Sequence, residues 1–143
     1  MSLPVHHVGL TVSDLERTAQ FYELFGGKEI SADHFCGPQF DRGLGVDGAD
    51  FDTKMIQVGA LLIELLSYHE PTRKPYTSRN CDIGAPHVAF QVDDIFAAYE
   101  RVTATGVESY SPPQMVTEGA FADGYFVYLK DPDGMSVELI QTP

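Results

Sequence analysis

Residues 7–15 read HVGLTVSDL and residues 87–95 read HVAFQVDDI, so the chain carries the same pattern twice. Each copy opens with a histidine and then alternates large apolar residues with small or polar ones. A period of two indicates a half-buried β-strand. Each copy next reaches an aspartate followed by a new apolar stretch, which predicts the capped start of a helix. The repeat therefore predicts two modules of the same design.

The segments that follow each copy predict the rest of a module. The first helix is expected to end at Gly26-Gly27 and the second at Gly106. Three strands should follow each helix: 28–31, 55–58 and 61–68 in the first half, and 107–110, 126–129 and 136–141 in the second. The stretch from Asp131 to Gly134, DPDG, has the residues of a type I turn. The order β-α-β-β-β thus occurs twice, which predicts an α+β fold.

Two segments lie outside the repeat. Residues 35–53 are rich in glycine and aspartate, and they are long for a link between strands, so we expect a lid or an edge flap there. Residues 70–84 contain prolines and basic residues and read as a linker. We therefore expect one domain over 1–143, with module 1 at about 4–69, the linker at about 70–84 and module 2 at about 85–143.

The composition restricts the partners of the protein. The formal net charge of −12 would repel phosphate backbones, which argues against nucleic acid as a partner. No apolar run is long enough to span a bilayer, and the first residues do not resemble a secretion signal. Cys36 and Cys81 form no disulfide framework, so we expect a cytoplasmic protein. The expected partner is a small molecule.

One glutamate interrupts an apolar strand in each half, at Glu64 and Glu138. A carboxylate in such a strand loses hydration, and a bound divalent cation would compensate for that loss. His7 and His87 occupy matching positions in the repeat and leave the strand face opposite the large apolar residues. Imidazoles with carboxylates suit Zn, Ni, Co, Mn or Fe. A single histidine or glutamate of this kind would more often be structural, and it is the duplication that favours a metal site.

The other histidines have weaker claims to a ligand role. His6 precedes the repeated pattern by one residue, and strand alternation puts it on the face opposite His7. His34 and His69 have no counterpart in the repeat, so we expect them to be surface residues.

The pattern resembles the vicinal-oxygen-chelate superfamily, which includes glyoxalase I, methylmalonyl-CoA epimerase, extradiol dioxygenases and the fosfomycin and bleomycin resistance proteins. The resemblance rests on residues 7–22, on residues 87–106 and on DPDG followed by Glu138. It implies two tandem β-α-β-β-β modules forming a cupped mixed sheet around one divalent ion. The ligands that it implies are His7, Glu64, His87 and Glu138, within one chain or across a homodimer.

The resemblance also implies a reaction, that of a lyase or isomerase of the glyoxalase I type. A substrate with adjacent oxygens chelates the metal, a glutamate removes a proton next to a carbonyl, and the metal stabilises the enediolate. Glu64 and Glu138 are both candidates for that base. The substrate would be a dicarbonyl adduct, a hydroxy acid or a thioester. Candidate substrate-binding residues are Arg73, Lys74, Arg79 and Tyr128, although the basic residues could equally belong to a solvated linker and the tyrosine to packing.

Other members of the superfamily provide alternatives. A methylmalonyl-CoA epimerase-like isomerase would use the same site. An extradiol Fe(II) dioxygenase would use His7, His87 and Glu138, but the histidine expected shortly before Tyr128 is missing and Glu64 would have no role. Drug-binding resistance proteins typically lack the metal ligands, so the four residues argue against a binding protein without enzymatic activity. Paired arginines for glutathione are also absent, which leaves the substrate open.

Overall fold

The structure, a computed structural model, describes residues 1–143. The chain folds into two compact units, Met1–Pro75 and Tyr76–Pro143. Each unit contains its own four-stranded mixed sheet built in the order β-α-β-β-β, and the first unit carries one additional helix between its second and third strands. The predicted α+β class and the duplicated module are therefore confirmed.

The first unit contains two helices besides its four strands. In chain order the elements are β1 (Val8–Thr11), α1 (Leu15–Glu23), β2 (Lys28–Cys36), α2 (Pro38–Leu44), β3 (Asp50–Val58) and β4 (Leu61–Glu70). The strand order across the sheet is β1-β4-β3-β2. Strand β1 runs parallel to β4, and the other neighbours are antiparallel.

The second unit repeats this topology with one helix. Its elements are β5 (His87–Gln91), α3 (Ile95–Thr103), β6 (Gln114–Met115), β7 (Tyr125–Lys130) and β8 (Ser136–Gln141). The strand order is β5-β8-β7-β6, with β5 parallel to β8. The longest helices of the chain have nine residues, so none of them could span a bilayer.

The two helices that follow the repeated strands begin at the aspartates that the repeat predicts. The Asp14 side chain accepts a hydrogen bond of 2.9 Å from the Arg17 backbone N–H. The Asp94 side chain accepts one of 3.0 Å from the Ala97 backbone N–H. Such caps satisfy donors that the first helical turn leaves free, and each contributes about 1 kcal/mol.

The chain turns back tightly after α1, at Gly27. Its backbone N–H donates to the Tyr22 carbonyl at 2.9 Å. A Cβ atom on Gly27 would lie only 2.7 Å from that carbonyl oxygen. Glycine is thus required at this position by close approach of the backbone.

Alternation along the last strand of each unit separates a buried face from a face that carries the glutamate. In β4, Ile63 and Leu65 are fully buried on either side of Glu64, and α1 packs against β3 and β4. In β8, Val137 and Leu139 are buried on either side of Glu138. Burial of each aliphatic side chain contributes about 1.5–3 kcal/mol, which holds the strand register in place.

The expected strand at 107–110 is wrong. Ser109 makes only an isolated bridge to Leu129, and the edge strand β6 forms later, at Gln114–Met115. Pro112 and Pro113 lie between the two positions. Because proline has no backbone N–H, it interrupts the ladder, and the edge strand is correspondingly short.

The expected lid or flap at 35–53 is largely regular structure instead. Strands β2 and β3 extend to the pair Cys36↔Asp50, and α2 occupies most of the remaining connection. The cross-strand pair Phe35↔Phe51 packs with ring centroids 5.6 Å apart, and Phe40 of α2 lies against both rings. These aromatic contacts explain why the strands continue beyond the predicted ends.

Candidate functional site

His7 and Glu64 lie together in the first unit. Gly9 of β1 is the direct partner of Glu64 in the parallel pair with β4. His7 lies two residues before Gly9, so its side chain projects on the same face. His7 Nε2 is 3.2 Å from Glu64 Oε2, and the glutamate side chain is 26% exposed.

His87 and Glu138 repeat this arrangement in the second unit. Ala89 of β5 is the direct partner of Glu138 in the parallel pair with β8, and His87 again lies two residues earlier. His87 Nε2 is 3.4 Å from Glu138 Oε2, and the glutamate side chain is 13% exposed. Each unit therefore places one imidazole and one carboxylate side by side through the same strand register.

The two nitrogen–oxygen separations suit ligands of a common ion. Two atoms about 2.1 Å from one ion lie about 3.0–3.4 Å apart at octahedral or tetrahedral angles. A neutral imidazole and a carboxylate suit divalent transition metals. Each pair fits such an ion as two of its ligands, so a site with four protein ligands needs both pairs.

His6 contacts His7 and leaves its Nε2 available to Glu64. The two Nδ1 atoms are 2.8 Å apart, and the rings meet edge to face with centroids 5.0 Å apart. One Nδ1 must carry the proton of this hydrogen bond. Such a partner fixes the ring orientation of a ligand histidine. Pro86 stands at the matching position before His87 and cannot provide this contact.

Tyr128 distinguishes the second unit from the first. It is the direct cross-strand partner of Glu138, whereas Met55 is the partner of Glu64. The Tyr128 ring lies edge to face with that of His87, with ring centroids 5.4 Å apart. Burial raises the pKa of Tyr128, and the charge of Glu138 raises it further. This tyrosine, predicted as a substrate residue, thus contacts both residues of its pair.

An aromatic cluster extends the face that carries Glu64. Tyr68 lies four residues after Glu64 on the same face of β4 and stacks on Phe51 with centroids 5.0 Å apart. Burial and the charge of Glu64 raise the pKa of Tyr68. Phe35 and Phe40 complete the cluster. Residues 35–53 therefore contribute aromatic surface beside the first pair, a role that the sequence left open.

The basic residues predicted to bind substrate make contacts within their own units. Arg73 Nη1 donates to the carbonyl oxygens of Val12 and Ser13 and to Ser67 Oγ, at 2.7–3.2 Å. Arg79 pairs with Asp82 at 2.9 Å, and this contact lowers the pKa of the aspartate. Lys74 is exposed. A substrate role for these three residues stays a prediction, and both arginines already have protein partners.

The structure also gathers residues that the sequence reasoning did not group. His34 and His69 are exposed, as expected, but both contact Asp52. Their hydrogen bonds hold the pKa of the Asp52 carboxyl below its usual value. Asp50 lies beside them, 3.6 Å from His34 Nε2. The internal repeat provides no signal for this cluster, because it has no counterpart in the second unit.

Comparison with known proteins gives a consistent result for nearly the whole chain. The family model described as Glyoxalase/Bleomycin resistance protein/Dioxygenase superfamily matches residues 5–139. A 2-epi-5-epi-valiolone epimerase from an Actinomyces species is 34% identical over 148 residues, covering 99% of this chain and 81% of the relative. A probable lactoylglutathione lyase from Synechocystis is 25% identical over 137 residues, covering 95% of this chain and 93% of that protein.

Solved structures share the fold. A glyoxalase family protein from Bacillus cereus has a TM-score of 0.84 and 21% identity, and the match covers 99% of this chain and 95% of that one. A fosfomycin resistance protein from Listeria monocytogenes, solved with Mn(II) and sulfate, has a TM-score of 0.68 and 22% identity over 100% of this chain and 95% of its own. The fold, the repeated module and the family match agree: the chain belongs to the Glyoxalase/Bleomycin resistance protein/Dioxygenase superfamily.

Proposed function

We propose that the protein is a divalent-metal-dependent lyase or isomerase that moves a proton at a carbon atom next to a carbonyl group. The observation that carries this proposal is the repeated register, which sets His7 beside Glu64 and His87 beside Glu138 at 3.2 and 3.4 Å. A binding protein without catalytic chemistry would have no need for both pairs.

The four residues would hold one ion, chosen from Ni, Co, Zn, Mn and Fe. When bound, the ion supplies Lewis acidity that polarises a substrate carbonyl and makes the neighbouring C–H group more acidic. The two carboxylates balance its charge. We propose that the two pairs come from one chain or from two chains of a cytoplasmic homodimer.

Glu64 and Glu138 would move the proton. An epimerase must remove a proton and return one to the other face of the same carbon, and two carboxylates on separate strands provide two groups for that task. Tyr128, the direct cross-strand partner of Glu138, would orient it by donating a hydrogen bond from its hydroxyl group. Glu64 has Met55 opposite it, and no tyrosine of β3 restrains it there.

The contacts of the basic residues favour a substrate without a large anionic carrier. Recognition of glutathione or coenzyme A requires cations for carboxylates or phosphates. Arg73 is engaged by backbone carbonyls and Arg79 by Asp82. We therefore favour epimerase activity on a small hydroxylated ketone or hydroxy acid. 2-Epi-5-epi-valiolone is the first compound to assay, because the relative named for it aligns with 99% of this chain.

A glyoxalase-type lyase is the second candidate, supported by the 25% identical relative with that name. A coenzyme A thioester epimerase would use the same four residues. An extradiol dioxygenase is less well supported, because its three-ligand site would leave Glu64, which lies 3.2 Å from His7, without a role.

Deuterium exchange separates these activities. Protein loaded with each of the five metals is incubated in D₂O with 2-epi-5-epi-valiolone, with the hemithioacetal of methylglyoxal and glutathione, and with methylmalonyl-CoA. Metal-dependent incorporation of deuterium at carbon is the expected result, and the substrate that exchanges identifies the subclass. Oxygen uptake with catechols, and no exchange with any carbonyl compound, would overturn the proposal in favour of a dioxygenase.

A further inference from the structure

A second cluster of metal-binding side chains lies in the first unit. His34 of β2, Asp50 of β3 and His69 of β4 each offer one ligand atom, and these atoms all lie within 4.8 Å of one another. Two imidazoles and one carboxylate form a donor set that suits divalent transition metals, as in three-ligand zinc sites that leave a position open to water.

Asp52 orients both imidazoles of this cluster. Its Oδ1 lies 2.8 Å from His34 Nδ1, and its Oδ2 lies 2.9 Å from His69 Nε2. Because a carboxylate only accepts hydrogen bonds, it selects the tautomers that carry N–H on these two nitrogens. The lone pairs are then on His34 Nε2 and His69 Nδ1. A carboxylate bonded to the outer nitrogen of a ligand histidine is a recurrent feature of zinc sites.

Asp50 presents an oxygen atom that the protein leaves unsatisfied. Its Oδ1 is shielded from solvent and accepts no hydrogen bond. It lies 3.6 Å from His34 Nε2, which is too far for a hydrogen bond. A shielded acceptor without a partner costs about 1–3 kcal/mol. A cation between Asp50 Oδ1 and His34 Nε2 would satisfy both atoms.

A β-bulge in β4 lies at His69, the third residue of the cluster. The ladder passes from Asp50↔Glu70 directly to Phe51↔Tyr68, so His69 has no residue opposite it on β3. A bulge redirects a side chain and releases it from regular cross-strand packing. The irregularity thus occurs at the residue that must turn toward Asp52.

The cluster lies on the other side of the sheet from the His7–Glu64 pair. Asp52 pairs with Ser67 and Lys54 with Leu65, on the face where Lys54 Nζ contacts Glu16 of α1 at 2.6 Å. Glu64 pairs with Met55 and therefore points to the opposite face. A metal bound by the cluster would not share ligands with the proposed catalytic ion.

We propose that His34, Asp50 and His69 bind a divalent transition-metal ion at a site separate from the catalytic one, with Asp52 orienting the two imidazoles. The site is open to solvent, since both histidine side chains are about half exposed. The open positions of the ion therefore face water or an external ligand.

Zinc titration of four full-length proteins tests this proposal: the wild type, H34A/H69A, H7A/H87A and the variant that combines all four substitutions. Bound zinc is counted by native mass spectrometry and its affinity is measured against a chromophoric chelator. We expect H34A/H69A to bind one zinc fewer than the wild type, and the combined variant to bind one fewer than H7A/H87A. The variant Asp33→Asn removes a neighbouring exposed charge on the other face of β2 and should bind zinc like the wild type.

Imidazole nitrogen NMR of H7A/H87A locates the ion. One equivalent of zinc should shift His34 Nε2 and His69 Nδ1, and Asp52→Asn should weaken binding about 10–100-fold. If H34A/H69A binds as much zinc as the wild type with the same affinity, the proposal is wrong and the cluster is only a set of ion pairs. If H34A/H69A loses zinc and H7A/H87A does not, this proposal stands and the proposed catalytic ligands fail.

Discussion

Tyr128 lies directly opposite Glu138 in the antiparallel pair of β7 and β8, and its ring meets that of His87 edge to face. The first unit has Met55 opposite Glu64 in the equivalent pair of β3 and β4. The two glutamates therefore have different partners, although the same strand register positions both. This asymmetry predicts that the two carboxylates differ in function.

Replacing Tyr128 with phenylalanine should reduce turnover while metal binding persists. The ring and its contact with His87 remain, and only the hydroxyl group beside Glu138 is lost. A hydrogen bond from this hydroxyl group to Glu138 in the transition state would be worth about 1.4 kcal/mol, which corresponds to a factor of ten in rate. We expect about a tenfold lower kcat, with unchanged metal content measured by mass spectrometry. Tyr125→Phe on the same strand is the matched control, since Tyr125 contacts Phe96 instead, and an equal loss in both variants would contradict the role of Tyr128.

Glu64→Gln and Glu138→Gln should separate metal binding from proton transfer. Glutamine keeps an oxygen ligand but cannot accept a proton at neutral pH. Loss of a general base lowers rates by about 10²–10⁴-fold. We expect the metal-loaded variants to lose deuterium exchange to that extent, and different losses at the two positions would identify the group that abstracts the proton. Full exchange activity in both variants would exclude the glutamates as bases.

Asp131 should contribute more to the stability of the folded protein at acidic pH, where its carboxyl group is protonated, than at neutral pH. Burial raises the pKa of the Asp131 carboxyl from its ordinary value of 3.8 to about 6. Because the folded state binds the proton more tightly, the favourable contribution is complete below pH 3.8 and is lost as the pH rises to about 6. The change is about 3 kcal/mol at most.

Asp131→Asn checks this dependence by urea unfolding between pH 4 and 7.5. Asparagine can still accept the backbone hydrogen bonds from Asp133 and Met135 that Asp131 Oδ1 accepts. We expect the free energy of unfolding of the variant, relative to wild type, to rise through this pH range. Asp93→Asn, at an exposed position, should show no such rise. A constant difference between variant and wild type would mean that Asp131 is ionised throughout.

Arg73→Ala should destabilise the first unit more than it affects substrate binding. Arg73 donates hydrogen bonds to Val12, Ser13 and Ser67, and these bonds connect the segment after β4 to the residues just before α1. The substitution removes all of them. We expect the free energy of unfolding to fall by about 1–3 kcal/mol with little change in KM. Arg101→Ala, at an exposed position on α3, should leave both unchanged. A large increase in KM with unaltered stability would instead assign Arg73 to the substrate.

Much of the fold follows from local sequence signals. The repeated strand–aspartate–helix pattern predicts the caps at Asp14 and Asp94 and the modules that contain them, because capping and alternation depend on neighbouring residues. The strand expected at 107–110 fails for an equally local reason, since Pro112 and Pro113 displace the edge strand. The two prolines indicate this limit themselves, since proline is excluded from the interior of a sheet ladder.

The candidate sites differ in how far they can be predicted. His7 and Glu64 are identified because the second module repeats them, although their ligand role stays a prediction. His34, Asp50 and His69 come from three strands and meet only through the register of β2, β3 and β4. That register depends on the bulge opposite Asp50, which follows from packing across the sheet and not from any local pattern.

Strand β4 presents Glu64 and His69 on opposite faces of one sheet, so one strand supplies a member of each proposed ligand set. An insertion of one residue after Leu62, inside β4, would reverse the direction of Glu64 relative to the preceding part of the strand and turn its carboxylate toward α1. Point substitutions leave the alternation of side chains between the two faces intact, whereas inserting or deleting one residue within the strand reverses it. We therefore expect insertions to be tolerated in segments beyond the strand ends, such as residues 71–84, where the chain can lengthen without inverting either face.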